Sequence, residues 1–264
     1  MMWESLLGEP KRTLVALDFD GTLSPIVDNP ERAFIHPRAV RALNRLAALV
    51  GQVAIVTGRP VAQVRELAGF DDVGAPAGLV VFGQYGAEWW DSASDAIIEP
   101  EPSREIAAAF AELPSIVARY GAADAFIEDK RIAVAIHTHG LAPDVADRLA
   151  EPLADFAREH ALHLEPGRQV LELRVPGADK GKAVATLAHN LDASSVIYVG
   201  DDLGDVPAFE MLGRMRESGI WTLSVAVASD EQRGLVDRAD VSVVGTEGVM
   251  DLLEKLATTL ESDM

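Results

Sequence analysis

Four short apolar runs most constrain what this chain can fold into: Leu14–Leu17, Val53–Val56, Leu79–Phe82 and Val196–Val199. None alternates with polar residues, which is the pattern of strands covered on both faces. Helical patterns lie between them. After Pro37, residues Val40, Leu43, Leu46, Ala47 and Val50 follow three- and four-residue spacing; Pro60 opens a second helix with Val61, Val64 and Leu67 on one face. Strand alternating with helix predicts an α/β fold, a Rossmann-like open parallel sheet covered by helices.

The middle of the chain reads differently. Residues 102–120 are helical in pattern. Ala125–Ile127 and Ile132–Ile136 then flank the charged Glu128-Asp129-Lys130-Arg131, as two strands joined by a tight turn would. A helix from Pro143 to His160 and two short strands, Leu162–Leu164 and Val170–Leu173, complete a ββαββ order suited to an antiparallel α+β module. After Pro176-Gly177 the first pattern resumes. The expected organisation is a core of residues 1–99 and 177–264 with an inserted α+β cap domain, residues 100–176. A length of 264 residues fits one or two domains of about 100–200 residues each.

In open α/β sheets, ligands bind outside the carboxyl ends of the strands. The first run ends in Asp18-Phe19-Asp20-Gly21-Thr22, so two carboxylates face one site. Their mutual repulsion is relieved by a hard divalent cation, and oxygen-only ligands suit Mg²⁺; the alternative is that they cap a turn. The second run ends in Thr57-Gly58-Arg59 before the helix at Pro60. This is either an anion site made by a hydroxyl and helix N–H groups, or an ordinary threonine cap. The fourth ends in Gly200-Asp201-Asp202-Leu203-Gly204-Asp205, a further acidic cluster or a solvated acidic loop. Lys180, in Gly177-Ala178-Asp179-Lys180-Gly181-Lys182, opens a helix where its ammonium could reach a phosphate; a lysine there is usually just solvated, but a cation is slightly unfavourable at a helix start, which adds weight to a functional role.

Composition narrows the partners. Asp and Glu total 42 against 23 Lys and Arg, a net charge of −19, which disfavours nucleic acid and anionic membranes. There is no cysteine, so thiolate metal sites and a cysteine nucleophile are excluded. The start lacks the apolar stretch of a signal peptide and no run reaches membrane-spanning length; a soluble, cytoplasmic protein is expected. So is a monomer or weak homo-oligomer acting on a small molecule.

The set Asp18-x-Asp20-Gly21-Thr22, Thr57-Gly58-Arg59, Lys180-Gly181 and Gly200-Asp201-Asp202-x-x-Asp205, in that order, resembles the four motifs of the haloacid dehalogenase-like phosphatases. The insert between the second and third resembles their α/β cap subclass. Asp18–Ile26, Glu128-Asp129-Lys130 with His137, Glu172-Leu173-Arg174 and the stretch from Gly200 to Phe209 resemble the trehalose-6-phosphate phosphatase family. Departures from that family's pattern are Gly204 and Val206 in the last motif, Tyr85 before Gly86, and His137-Thr138-His139 in the cap. They bear on sugar choice, since Asp201 and Asp205 are kept.

The resemblance implies Mg²⁺-dependent hydrolysis of trehalose 6-phosphate. Asp18 would attack phosphorus to give an aspartyl-phosphate, while Asp20 protonates the leaving oxygen and then deprotonates water. Asp18, the backbone carbonyl of Asp20, and Asp201 would hold Mg²⁺. Gly21, Thr57, Gly58 and Lys180 would surround the phosphoryl oxygens, with Asp205 orienting Lys180 or a metal-bound water. Arg59 would contact phosphate or sugar. In the cap, Glu128 and Lys130 in the hairpin turn, and Arg168 and Glu172 flanking a later strand, would contact sugar hydroxyls, against the plainer reading of solvated charges. His137 and His139 would share a strand face, and Trp89-Trp90 reads as core or edge packing. The alternatives are a phosphatase of another sugar phosphate (sucrose phosphate, glucosyl- or mannosyl-phosphoglycerate, a hexose phosphate), a phosphosugar mutase, or a catalytically dead sugar-phosphate sensor.

Overall fold

The computed structural model describes residues 8–142, 144–167, 169–228 and 235–262. In chain order the strands are β1 (Thr13–Leu17), β2 (Gln52–Val56), β3 (Val80–Gly83), β4 (Glu88–Asp91), β5 (Ala96–Ile98), β6 (Phe126–Asp129), β7 (Ala133–His137), β8 (His163–Gly167), β9 (Val170–Arg174), β10 (Ser195–Gly200), β11 (Trp221–Ala228) and β12 (Val241–Val244). The longer helices are α1 (Ala39–Leu49), α2 (Val61–Ala68), α3 (Arg104–Arg119), α4 (Val145–Glu159), α5 (Lys180–Leu191), α6 (Val206–Glu217) and α7 (Gly245–Ser262). They divide into two compact units: one runs up to Ile98 and resumes at Ala178, and the other is Glu99–Gly177.

The first unit is an eight-stranded sheet in the order β12-β11-β10-β1-β2-β3-β4-β5. Every pairing from β12 to β3 is parallel, and β4 and β5 extend the sheet antiparallel. The α/β expectation therefore holds, with a mixed, mostly parallel sheet. β1 is buried along its whole length because both faces are covered. Val15 and Leu17 pack with α1, α2 and α7, while Leu14 and Ala16 pack with α5 and α6 on the other face. That two-sided burial removes alternation from its sequence. β4, by contrast, alternates in burial, and Trp90 goes inward: its ring stacks on Phe70 at 6.2 Å, so this aromatic pair serves packing.

The sheet order reverses around β1, which lies between β10 and β2 although those strands are far apart in sequence. The carboxyl ends of these three strands therefore diverge around one crevice, the position at which open α/β sheets bind ligands.

The second unit is a four-stranded antiparallel sheet, β6-β7-β9-β8, with α3 and α4 packed on its apolar face through Ile106, Leu113, Leu149, Leu153, Val134, Ile136, Leu171 and Leu173. Glu128, expected in the hairpin turn, lies within β6 opposite Ala135, and Glu172 lies within β9 opposite the same alanine. The turn is shorter than its charged run suggested and falls at Arg131, whose φ is +71°. A sheet covered on one side carries charges on its other face, so a run of charges need not mark a turn. His137 ends β7, while His139 falls beyond it and so shares no strand face with it. No helix among the described residues is long and apolar enough to cross a membrane.

Candidate active site

Asp18 follows β1 directly and is tied to the sheet by its backbone N–H, which donates to the Val199 carbonyl at 2.9 Å. β10 delivers Asp201 beside it. Asp18, Asp201, Asp202 and Asp205 place one carboxylate oxygen each within 4.8 Å of one another. Two glycines make this crowding possible. A Cβ on Gly21, whose φ is +67°, would stand 2.0 Å from Asp201 Oδ2, and one on Gly200 would stand 2.3 Å from the Asp205 carboxyl carbon.

Lys180 enters the cluster from the first turn of α5. Its Nζ lies 2.9 Å from Asp18 Oδ1 and 2.7 Å from Asp205 Oδ1. The side chain is 4% exposed, so the cost of placing a cation at the start of this helix is met by two buried carboxylates. Burial alone would lower the Lys180 pKa, but the charges of Asp18 and Asp205 outweigh it and hold the ammonium well above its ordinary value.

Asp205 is saturated. Its Oδ1 accepts from Lys180 and from the Tyr198 hydroxyl at 2.7 Å, and its Oδ2 accepts from the backbone N–H groups of Asp201 at 2.9 Å and Asp202 at 3.2 Å. Its expected place beside Lys180 is occupied. Tyr198, fully buried in β10, is a member of this network that its apolar run concealed, because a tyrosine in a buried strand reads as packing.

Asp18 and Asp201 lack comparable partners. Asp201 accepts from no protein donor among the described residues. Burial first, and then the charges of Asp18, Asp205 and Asp202, pushes its pKa up to about 10. Burial likewise raises Asp18 well above the carboxylate range, with Lys180 pulling the other way. Four acidic groups against one ammonium leave buried negative charge that must be protonated or matched by a cation. An all-oxygen donor set of this kind fits a hard divalent metal ion.

Asp20 is set apart from this group. Arg59 grips its carboxylate as a fork, Nε to Oδ2 at 2.6 Å and Nη2 to Oδ1 at 2.7 Å. Its side chain is thus paired with a cation, which leaves the backbone carbonyl as the metal donor it could offer. Thr57 is buried at the end of β2, and its Oγ1 accepts the Arg59 backbone N–H at 3.2 Å. Gly58 packs against Tyr85, where a Cβ would stand 2.8 Å from the ring. Gln84, Tyr85 and Gly86 all have left-handed φ, at +48°, +59° and +99°. This turn is held by Tyr85 N–H to the Thr57 carbonyl at 2.9 Å and Gln84 N–H to the Arg59 carbonyl at 3.0 Å. Buried Glu88 accepts from the Val61 N–H at 2.9 Å, at the start of α2. Thr22, inside the first motif, keeps a buried hydroxyl with no hydrogen-bond partner among the described residues.

In the second unit Lys130 pairs with Glu172 at 2.6 Å, and Glu128 hydrogen-bonds His137 Nε2 at 2.9 Å. Glu128, Ala135, Glu172 and Glu165 stand in one row across the sheet, opposite the face that packs on the helices. Arg168 lies outside the described residues. The first unit thus gathers Asp18, Lys180, Asp201 and Asp205, with Gly21 against Asp201, and beside them pairs Arg59 with Asp20 and Thr57; the second pairs Lys130 with Glu172 and Glu128 with His137.

The family model for trehalose-phosphatase matches residues 16–242, most of the chain. The chain belongs to the trehalose-phosphatase family. It is 33% identical over 220 residues to a trehalose-phosphate phosphatase of Mycobacterium tuberculosis, covering 77% of this chain and 52% of the relative. It is 35% identical over 212 residues to an uncharacterized glycosyl hydrolase of the same organism, covering 76% of this chain and 15% of the relative. The chain therefore spans about half the length of the trehalose-phosphate phosphatases it matches, and less of the hydrolase. The C-terminal domain of Candida albicans trehalose-6-phosphate phosphatase superposes with a TM-score of 0.78 at 22% identity, covering 96% of this chain and 94% of that one. A haloacid dehalogenase-like hydrolase from Bacteroides thetaiotaomicron superposes with a TM-score of 0.65 at 16% identity, covering 92% and 99%. The fold is thus of the haloacid dehalogenase type, as the motif order implies.

Proposed function

We propose that this member of the trehalose-phosphatase family is a Mg²⁺-dependent phosphatase that hydrolyses trehalose 6-phosphate to trehalose and phosphate. The observation that carries the reading is Asp18 paired with Lys180 inside a cluster of four carboxylates at the crevice between β1 and β10. Asp18, the backbone carbonyl of Asp20, and Asp201 would hold the magnesium ion, whose charge would offset the repulsion between an anionic nucleophile and an anionic phosphoryl group.

The protein's own groups do the rest. An Asp18 oxygen bonds to phosphorus as the bond from phosphorus to the sugar oxygen breaks, and Asp20 gives its proton to that oxygen. A water oxygen then bonds to phosphorus as the Asp18–phosphorus bond breaks, and the water proton returns to Asp20. Lys180, Thr57, Gly58 and the backbone beside Gly21 take the equatorial oxygens, where charge must be met in phosphoryl transfer. Asp205, with no acceptor capacity left over, orients Lys180.

In this reading residues 1–99 and 177–264 form the catalytic core, and residues 100–176 are a cap that confers sugar selectivity. Glu128, Lys130 and Glu172, with Arg168, hydrogen-bond sugar hydroxyls, a kind of recognition that discriminates strongly. A cytoplasmic location, a small sugar phosphate as partner and a monomeric or weakly associated chain belong to the same reading.

The test is phosphate release from a panel of sugar phosphates, with Mg²⁺ and with a chelator. The expected result is the highest kcat/KM on trehalose 6-phosphate, abolished by the chelator. A clear preference for another sugar phosphate would move the assignment to that ester, and release from none would refute it. Solvent ¹⁸O in the released phosphate separates hydrolysis from mutase chemistry, which returns the phosphoryl group to sugar.

A further inference from the structure

Arg59 reads from sequence as a contact for substrate, yet the guanidinium edge that would serve a phosphate is already committed. Nε and Nη2 both point at Asp20, at 2.6 and 2.7 Å, and Nη1 lies 3.4 Å from Gln63 Oε1. A bidentate contact of this kind is among the stronger charge-assisted hydrogen bonds and fixes the plane of the carboxylate as well as its position. Drawing Arg59 to a phosphate would break both of its bonds to Asp20.

Arg59 is itself held rigidly. Its side chain is 13% exposed, and the guanidinium lies over the Phe19 ring, 5.9 Å from the centroid. Its backbone N–H is accepted by Thr57 Oγ1, and its carbonyl accepts from Gln84. The Asp20 side chain, at 38% exposure, has much less around it. It sits on the turn after β1, where an unrestrained short side chain would sample several rotamers.

We propose that Arg59 is the positioning residue of Asp20: it carries the rigidity of the β2–α2 turn across to that carboxylate, keeping one of its two bonds while the other Asp20 oxygen takes up a proton from solvent and hands it to the leaving oxygen. The inference rests on the phosphatase reading above and adds to it a role for Arg59 that acts through Asp20. Proton transfer needs the donor within hydrogen-bond reach and correctly aimed, and a misplacement of about 1 Å costs roughly 100-fold. That cost arises only when the leaving oxygen needs a proton. A sugar alkoxide does; a nitrophenolate leaves without one.

The experiment compares kcat/KM for trehalose 6-phosphate and for p-nitrophenyl phosphate in the full chain with Mg²⁺. This ratio reports steps up to departure of the leaving group and is insensitive to later hydrolysis of the aspartyl-phosphate. Arg59→Ala is expected to lose roughly 100-fold on the sugar ester and less than about 5-fold on the aryl ester. Arg59→Lys, which restores one prong, recovers part of the loss. Asp20→Asn shows the same leaving-group dependence, and the double variant is no worse on the sugar ester than Asp20→Asn alone. Unfolding midpoints of Arg59→Lys and Asp20→Asn guard against a folding defect in Arg59→Ala. Equal losses on both esters, or losses that multiply in the double variant, overturn the inference. If Asp20→Asn discriminates between the esters and neither Arg59 variant does, the phosphatase reading stands and this inference alone fails. A parent protein that cleaves neither ester removes both.

Discussion

Removing divalent metal should make the stability of the first unit fall as pH rises, the reverse of an ordinary carboxylate-paired protein. Asp201 titrates near its ordinary value of 3.8 in the unfolded chain but at about 10 when folded, because burial and the charges of Asp18, Asp205 and Asp202 oppose ionisation. A group whose folded pKa is raised favours folding fully below the unfolded value and loses that contribution as pH climbs toward the folded one. Each proton that the folded state keeps and the unfolded state releases lowers stability by about 1.4 kcal/mol per pH unit. From pH 5.5 to 8.5 a single retained proton is therefore worth about 4 kcal/mol, a large share of the roughly 5–15 kcal/mol of a typical domain. Asp18, also raised by burial, acts in the same direction, and the other shifted groups do not mask this. Asp240, Glu105, Glu247, Glu254 and Glu261 are shifted down, so their contribution is lost only as pH falls below the ordinary carboxylate range. Lys180 and Tyr198 are shifted up from values already above 8.5 and keep their protons throughout. The assay is urea unfolding with a chelator, followed by tryptophan fluorescence: Trp3, Trp89, Trp90 and Trp221 all lie outside residues 99–177. Asp201→Asn should reduce the slope, leaving the part due to Asp18, and be more stable than the parent at pH 8.5 without metal. A metal-free midpoint that is flat or rises between pH 5.5 and 8.5 would refute the charge conflict on which the site assignment depends.

The same cluster gives further expectations. Mg²⁺ binding at pH 7 should release about one proton, read as a dependence of calorimetric enthalpy on the ionisation enthalpy of the buffer. Gly21→Ala forces a left-handed alanine and drives Asp201 aside by about 1 Å, from 2.0 Å to a tolerable contact. A loss of roughly 10–100-fold in Mg²⁺ affinity is expected by titration. In the second unit, Lys130→Met leaves Glu172 buried without its cation. It should raise KM for trehalose 6-phosphate while leaving kcat/KM on p-nitrophenyl phosphate within about 3-fold, if the pair serves sugar selectivity.

Legibility in the sequence followed burial. β1, β2, β3 and β10 stand out because two covered faces leave their interiors apolar, with Thr13, Gln52 and Ser195 only at the first positions and the Tyr198 ring as the one polar-tipped side chain within. β4 and β5 extend the sheet at its edge: β4 alternates, and β5 is apolar but only three residues long and exposed along its length, so neither reads as a buried strand. The motif carboxylates and Lys180 were readable because a charge set at the end of a buried strand is costly unless an opposite charge or an ion meets it. Arg59 shows the limit of that reasoning. Its type and place suggested an anion contact, but its partner is a carboxylate 39 positions away, and only the pairing of β1 with β2 puts the two together. Tyr198 failed for a related reason, since one hydroxyl in a buried strand says nothing of what its end meets.

The acidic residues after β1 and β10 look alike in sequence, and the structure separates them by how many donors each one meets. Asp205 meets four, two of them backbone N–H groups of its own turn, so its charge is spent on holding the loop and Lys180 in place. Asp20 meets a guanidinium fork that neutralises it at the rim. Asp18 meets the ammonium it shares with Asp205, and Asp201 meets no donor among the described residues. An oxygen already saturated with hydrogen bonds can neither bind a metal nor attack phosphorus without breaking them, whereas Asp18 and Asp201 keep lone pairs available at an energetic cost that their raised pKa values record. The positions least satisfied by the fold are thus those with the most to gain from a divalent ion, and replacing either of the two should relieve the folded state while disabling the chemistry. Replacing Asp205, whose bonds all lie within the protein, should do the opposite to stability.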